Sequence, residues 1–171
     1  PTKGYYVRFQ NRTAAEALAG DVNFYNPELD ARNYVPFLGN TFWATRFNYQ
    51  TIDGFGSGEA SAVPPFEKFF LGGNQNVRGY DYRDIAVYRE QCPNRTKNPS
   101  GFERCSGGRT AFFANLELRY KVMEETMQLF AFTDIGNVYD ATWEIDSDFK
   151  QSAGIGMRVR SPMGPINISW A

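Results

Sequence analysis

Apolar and polar residues alternate with a period of two over most of the chain, the signature of β-strands with two chemically different faces. In Gln151 to Arg160, Gln151, Ala153, Ile155, Met157 and Val159 share one face, and Ser152, Gly154, Gly156, Arg158 and Arg160 the other. In Phe112 to Tyr120, Phe112, Ala114, Leu116, Leu118 and Tyr120 oppose Phe113, Asn115, Glu117 and Arg119. Thr41 to Gln50 sets Trp43, Phe47 and Tyr49 against Arg46, Asn48 and Gln50. Ile166, Ile168 and Trp170 oppose Asn167 and Ser169, and Tyr5, Val7 and Phe9 oppose Arg8 and Gln10. Two further strands are predicted, over about 127–138 and about 28–37, with a less regular pattern. In the first of these Phe130 and Phe132 share a face with Asp134. Thr13 to Ala19 is rich in helix formers but short, and reads equally as loop or as strand extension.

Such strands could form a half-buried sheet with its polar face in water. The connections argue otherwise. Leu38-Gly39-Asn40, Met123-Glu124-Glu125 and Ser161-Pro162-Met163-Gly164-Pro165 are tight turns. Between them lie long polar segments, over about 11–27, about 54–109 and about 139–149. Short turns at one end and long loops at the other describe a transmembrane β-barrel of the outer-membrane type. Strands of about ten residues suit a tilted crossing of the bilayer. Phe, Tyr and Trp near the strand ends suit its two interfaces. The predicted fold is therefore all-β, an antiparallel transmembrane β-barrel. About seven strands are legible, whereas bacterial single-chain barrels have an even number, so the barrel is expected to be incomplete.

Composition sharpens this picture. The chain has 171 residues, 18 Lys+Arg and 19 Asp+Glu, for a net charge of −1. A nucleic-acid partner needs a basic excess that is not there. There is no histidine, which removes histidine metal ligands and histidine acid–base pairs. No enzyme chemistry, metal or cofactor is expected. A content of 42% hydrophobic and 16% aromatic residues is too high for a disordered coil. No apolar run reaches the roughly 18 residues of a transmembrane helix. The opening lacks a signal-peptide pattern, and its strand-like start at Pro1 is that of a mature or truncated product. Cys92 and Cys105, in a polar loop, favour a disulfide in an oxidising compartment over a metal site. Asn11-Arg12-Thr13 and Asn94-Arg95-Thr96 match a glycosylation pattern that has no expected use in a bacterial outer membrane.

The long loop carries Phe69-Phe70-Leu71-Gly72-Gly73 and then Asn76-Val77-Arg78-Gly79-Tyr80. An Arg before a Gly is usually a plain turn. Here Glu117 and Asp134 stand on the polar faces of the two following strands. A loop folded into the lumen would bring Arg78 to both carboxylates, through charge-assisted and bidentate hydrogen bonds. Gly79 would allow close backbone approach to the wall. The arginine would keep both carboxylates ionised, which suits an ion pair better than a general acid.

The run from Phe69 to Tyr80 resembles the Val-Arg-Gly-Phe/Tyr loop signature of the BamA-type outer-membrane insertase superfamily. Further blocks follow in the family's order. Pro1-Thr2-Lys3-Gly4 resembles the start of a mid-barrel strand. Asn115-Leu116-Glu117-Leu118-Arg119 and Phe132-Thr133-Asp134-Ile135-Gly136-Asn137-Val138-Tyr139 resemble the two strands after the loop. Ser152 to Gly156 with Ser161 to Pro165 resembles the next hairpin. The resemblance implies that residues 1–171 are part of one outer-membrane barrel domain, about strands nine to fifteen of sixteen. It implies that the loop over about 54–109 carries the motif Val77, Arg78, Gly79 and Tyr80. It also implies that Arg78 binds Glu117 and Asp134, and that Cys92 and Cys105 pair. The periplasmic repeats, the first half of the barrel and the final strand of the family have no counterpart in this stretch.

The function so implied is assembly and insertion of β-barrel proteins into the bacterial outer membrane. The implied partners are the lipid bilayer, unfolded barrel clients and accessory assembly subunits. Two alternatives are a two-partner-type secretion pore of the same superfamily, and a passive pore or ligand-binding barrel in which Arg78 lines the channel.

Overall fold

The computed structural model describes residues 3–16, 22–56, 63–87, 96–97, 103–104, 107–123, 126–162 and 164–171. They form strands β1 (Gly4–Ala14), β2 (Phe24–Pro36), β3 (Thr41–Thr51), β4 (Asp53–Gly54), β5 (Thr96–Lys97), β6 (Glu103–Arg104), β7 (Thr110–Met123), β8 (Met127–Tyr139), β9 (Lys150–Ser161) and β10 (Gly164–Trp170). One antiparallel sheet runs β1-β2-β3-β7-β8-β9-β10, with the short β4 paired to β2 and a separate β5-β6 ladder inside the long loop. Among the described residues the sheet is open, with β1 and β10 as its edges.

Register shows how the alternation becomes a wall. One row of cross-strand partners reads Val35, Trp43, Leu118, Ala131, Ile155, Trp170 across β2, β3, β7, β8, β9 and β10. One position along, the row reads Tyr34, Ala44, Glu117, Phe132, Gly154. The next row of that second face reads Arg32, Arg46, Asn115, Asp134, Ser152. A sheet whose side chains change face every residue therefore carries one apolar and one polar surface.

Burial is inverted relative to a sheet in water. Leu116, Ile155 and Ile168 are 38%, 63% and 59% exposed, whereas Asp30, Glu117 and Asp134 on the other face are 0%, 7% and 0% exposed. An apolar outside and a covered polar inside are the pattern of a lipid-facing barrel wall.

The Leu38-Gly39-Asn40 connection holds, and Met123 pairs with Met127 and Ser161 with Gly164 across the other two, whose Glu124, Glu125 and Met163 lie outside the described residues. Gly39 adopts a φ of 55° in the β2–β3 turn, where the Phe37 amide donates to the Thr41 carbonyl (3.0 Å) and the Thr41 amide to the Leu38 carbonyl (2.9 Å). At the other end the strands run further than their apolar faces do. The connection expected over about 11–27 shrinks, because polar pairs such as Gln10–Glu28 and Arg12–Asn26 continue the β1–β2 ladder beyond the apolar band. Thr13 and Ala14 accordingly belong to β1. The strand expected from about residue 28 likewise begins at Phe24.

The packed core lies inside the wall. Val63, Phe69, Leu71, Val77 and Ile85 of the long loop bury against Phe24, Ile52, Ala111, Phe113 and Val138. Residues 63–87 of the loop between β4 and β7 thus fold back onto the inward face. Paired hydrogen bonds between Leu71 and Ile85, and between Phe69 and Gly108, stiffen it. Cys92 and Cys105 lie outside the described residues.

Candidate functional site

The site is built at the tip of the inward loop. Gly73 donates its amide to the Tyr80 carbonyl (2.9 Å), closing the tip. The Asn76 side-chain oxygen accepts from the amides of Gly72 and Val77, both at 2.8 Å. This local hydrogen bonding is why an asparagine suits the turn. Gly72 and Gly73 take φ values of 104° and 96°, a region that disfavours a side chain.

Val77, fully buried, anchors the tip in the core. Arg78 follows and turns to the wall. Its Nε donates to Asp134 Oδ2 (2.7 Å) and its Nη2 to Asp134 Oδ1 (2.7 Å), a bidentate pair. Its Nη1 donates to Glu117 Oε1 (2.6 Å). Its backbone amide adds a bond to Asp134 Oδ2 (3.1 Å). Gly79, at φ 84°, passes so close to the wall that a Cβ there would lie 3.0 Å from Ala171 Cβ and 3.4 Å from Ser152 Cβ. Tyr80 donates its hydroxyl to the Gln151 carbonyl of β9 (3.2 Å).

The carboxylates have further partners. Glu117 accepts from Arg119 Nε (2.6 Å) at its other oxygen. Asp134 accepts from Asn115 Nδ2 (2.8 Å), which also donates to the Asn76 carbonyl of the loop (2.6 Å). Two rings complete the shell. The Arg78 guanidinium lies 3.6 Å from the Phe132 ring centroid and 5.7 Å from that of Phe130. Burial by itself lowers the pKa of Arg78, but Asp134 and Glu117 outweigh it, and the guanidinium's pKa lies above the usual arginine value.

Phe130 and Phe132 were not singled out as site residues from sequence. The signal was present as two aromatics on the same face as Asp134, an oddity that a guanidinium platform explains. A second cluster was also missed. Asp30, fully buried, accepts from Arg32 (Nε, 2.8 Å) and from Arg46 (Nη2, 2.8 Å). Arg46 Nη1 then reaches the Gln75 carbonyl of the loop tip (3.0 Å). Arg46→Ala removes this tie while leaving Arg32 to neutralise Asp30. The expected result is a folded barrel destabilised by about 1.5–3 kcal/mol, the range for hydrogen bonds to charged groups. Urea unfolding checks it, together with faster proteolysis of the loop. An unchanged unfolding midpoint with unchanged proteolysis contradicts it.

An open antiparallel sheet, apolar outside and polar inside, with a loop packed on its inner face, defines the wall of a transmembrane β-barrel. Residues 1–171 match the Omp85 superfamily domain over their whole length. The chain belongs to that superfamily and forms part of a bacterial outer-membrane β-barrel. It is 31% identical over 173 residues to the outer membrane protein assembly factor BamA of Nitratidesulfovibrio vulgaris (strain Hildenborough), covering 99% of this chain and 20% of that protein. In structure it resembles BamA from Haemophilus ducreyi lacking POTRA domains 1–3. The TM-score is 0.79 at 20% identity, over 99% of this chain and 35% of that one. The chain thus spans about a fifth of the length of the first relative and about a third of the second.

Proposed function

We propose that the full-length protein assembles and inserts β-barrel proteins into the outer membrane. The observation that carries this reading is the match of the whole chain to a BamA at 31% identity. Its partners are then the bilayer, unfolded barrel clients and accessory assembly subunits. Residues 1–171 act as part of one barrel domain, and the loop over about 54–109 carries the Val77-Arg78-Gly79-Tyr80 motif. In this reading Arg78 is a clamp. It fastens the loop tip to two strands of the wall through Glu117 and Asp134, so the lumen stays plugged while the barrel works. Client strands would be templated at an exposed sheet edge by backbone pairing. The clamp supports the barrel and contacts no client.

The test is depletion of the full-length protein, with quantification of several unrelated outer-membrane barrels. A general fall of all of them before growth stops is the expected result. Normal barrel levels with a single exported protein trapped in the periplasm would replace this reading with a secretion pore.

A further inference from the structure

A chamber of about 310 Å³ lies between the loop tip, at Asn74, Gln75 and Asn76, and the inward faces of β2, β3 and β7 to β10. Its lining is cationic. Arg32, Arg46, Arg78, Arg119 and Arg158 border it, and Glu117 is the carboxylate in the lining. Asp30 and Asp134 stand behind that lining, bonded to Arg32, Arg46 and Arg78. Five guanidiniums face three carboxylates, which leaves two positive charges unmatched.

One of these charges is shared by Arg32 and Arg46, which divide Asp30 between them, and the other is on Arg158. Arg119 donates through Nε to Glu117, whose other oxygen is taken by Arg78. Arg158 donates through Nε to the neutral amide oxygen of Asn167 (2.6 Å). Among the described residues, neither arginine makes a hydrogen bond through Nη1 or Nη2. Both are nevertheless held in place. Arg158 lies 5.7 Å from the Phe130 ring centroid, and Arg119 lies 5.8 Å from Tyr34 and 5.9 Å from Phe42. Two guanidiniums fixed through Nε and aromatic faces, with their terminal N–H groups unused beside a polar cavity, form a fork for an anion. Each can grip two oxygens of a tetrahedral oxyanion in bidentate fashion.

We infer that this lumenal chamber is an oxyanion site that takes a phosphate group between Arg119 and Arg158. The inference does not depend on the assembly function. The group can come from free phosphate or from a lipid phosphodiester, and the chemistry of recognition is shared.

The test uses the full-length protein folded in detergent, and reads the thermal unfolding midpoint from the mobility shift between folded and unfolded barrel on a semi-native gel. Inorganic phosphate, titrated against chloride at matched ionic strength, is expected to raise the midpoint saturably, because a ligand of the folded state stabilises it. Arg158→Gln should abolish the rise. Arg158→Lys, which keeps the charge but loses the planar fork, should require about tenfold more phosphate. Arg119→Gln provides an independent variant should Arg158→Gln fail to fold. A second arm places the protein in phosphatidylglycerol nanodiscs and in nanodiscs of a phosphate-free glycolipid. A stabilisation seen only with phosphatidylglycerol, and lost in Arg158→Gln, assigns the group to a lipid headgroup. No rise in either arm overturns the inference, as when a carboxylate elsewhere in the full-length barrel already fills the fork. A rise that survives both glutamine variants overturns it as well.

Discussion

Arg78→Glu is expected to prevent accumulation of the folded barrel. The substitution leaves Asp134, fully buried, and Glu117, 7% exposed, without the cation they share. It then adds a third carboxylate at the same point. Breaking a buried ion pair by removing one partner costs about 3–5 kcal/mol, because the remaining charge stays buried and uncompensated. That is a large fraction of the roughly 5–15 kcal/mol that holds a typical domain together. Like-charge repulsion in a partly dry lumen adds to it. Arg119 still reaches Glu117, and Asn115 still reaches Asp134, so neither carboxylate is left wholly bare. These contacts cannot replace a guanidinium that makes three charge-assisted bonds to the two carboxylates. Arg78→Lys should fall between wild type and Arg78→Glu, since a single ammonium cannot span both carboxylates in the same geometry. The reversal Arg78→Glu with Asp134→Arg should restore folding in part. The new pair regains its attraction, but the Asn115 amide then faces a cation in place of an acceptor. The measurements are the level of barrel in the outer membrane and its folded band on a semi-native gel. Wild-type amounts of Arg78→Glu with an unchanged unfolding midpoint would sink the clamp.

The wall was legible because the bilayer enforces a rule. Outward positions are predominantly apolar, and covered polar groups must find partners inside. Leu116, Leu118 and Tyr120 therefore alternate cleanly with Asn115, Glu117 and Arg119, and the polar phase of Glu117 and Asp134 follows from counting residues. What the alternation could not convey is how the inner face is used. Phe130 and Phe132 break the polar phase, since a ring below a guanidinium serves the lumen as well as a polar group does. Asp30 and Arg46 sit on strands whose pattern shows only their phase. Their meeting depends on the β2–β3 register, which sets Arg32 opposite Arg46. Strand ends were misjudged for a related reason. Beyond the apolar band the β1–β2 ladder continues with Asn11–Pro27 and Thr13–Tyr25, pairs that hydropathy alone reads as loop.

Gly154→Val is expected to detach β10 from β9 or to displace the aromatic floor of the site, and in either case to destabilise the barrel severely. Gly154 and Gly156 stand on the inward phase of β9, directly across from Phe132 and Phe130 of β8. A glycine opposite an aromatic lets the ring lie flat over the backbone, a pairing that also pins strand register. A Cβ at 154 would stand 2.0 Å from the Trp170 carbonyl oxygen, 2.7 Å from Phe132 Cζ and 2.9 Å from Ala171 Cα. Two of these three neighbours are backbone and cannot rotate aside. Overpacking in a well-filled core costs about 1–3 kcal/mol. Here the strain falls on a strand whose ladder, among the described residues, is with β9 alone. If instead the ring yields, Arg78 loses the face it packs on at 3.6 Å. Ala153→Val is the matched control, one residue along on the exposed outward face, and should leave the midpoint unchanged within error. Urea unfolding of both variants separates local overpacking from a general intolerance of β9 to substitution. The double variant Gly154→Val with Phe132→Leu then identifies what moves. Partial recovery means that the ring clash dominates and that the glycine exists to seat Phe132 beneath Arg78. No recovery means that the Trp170 carbonyl dominates and that the glycine serves the β9–β10 contact. A Gly154→Val barrel as stable as wild type would refute both.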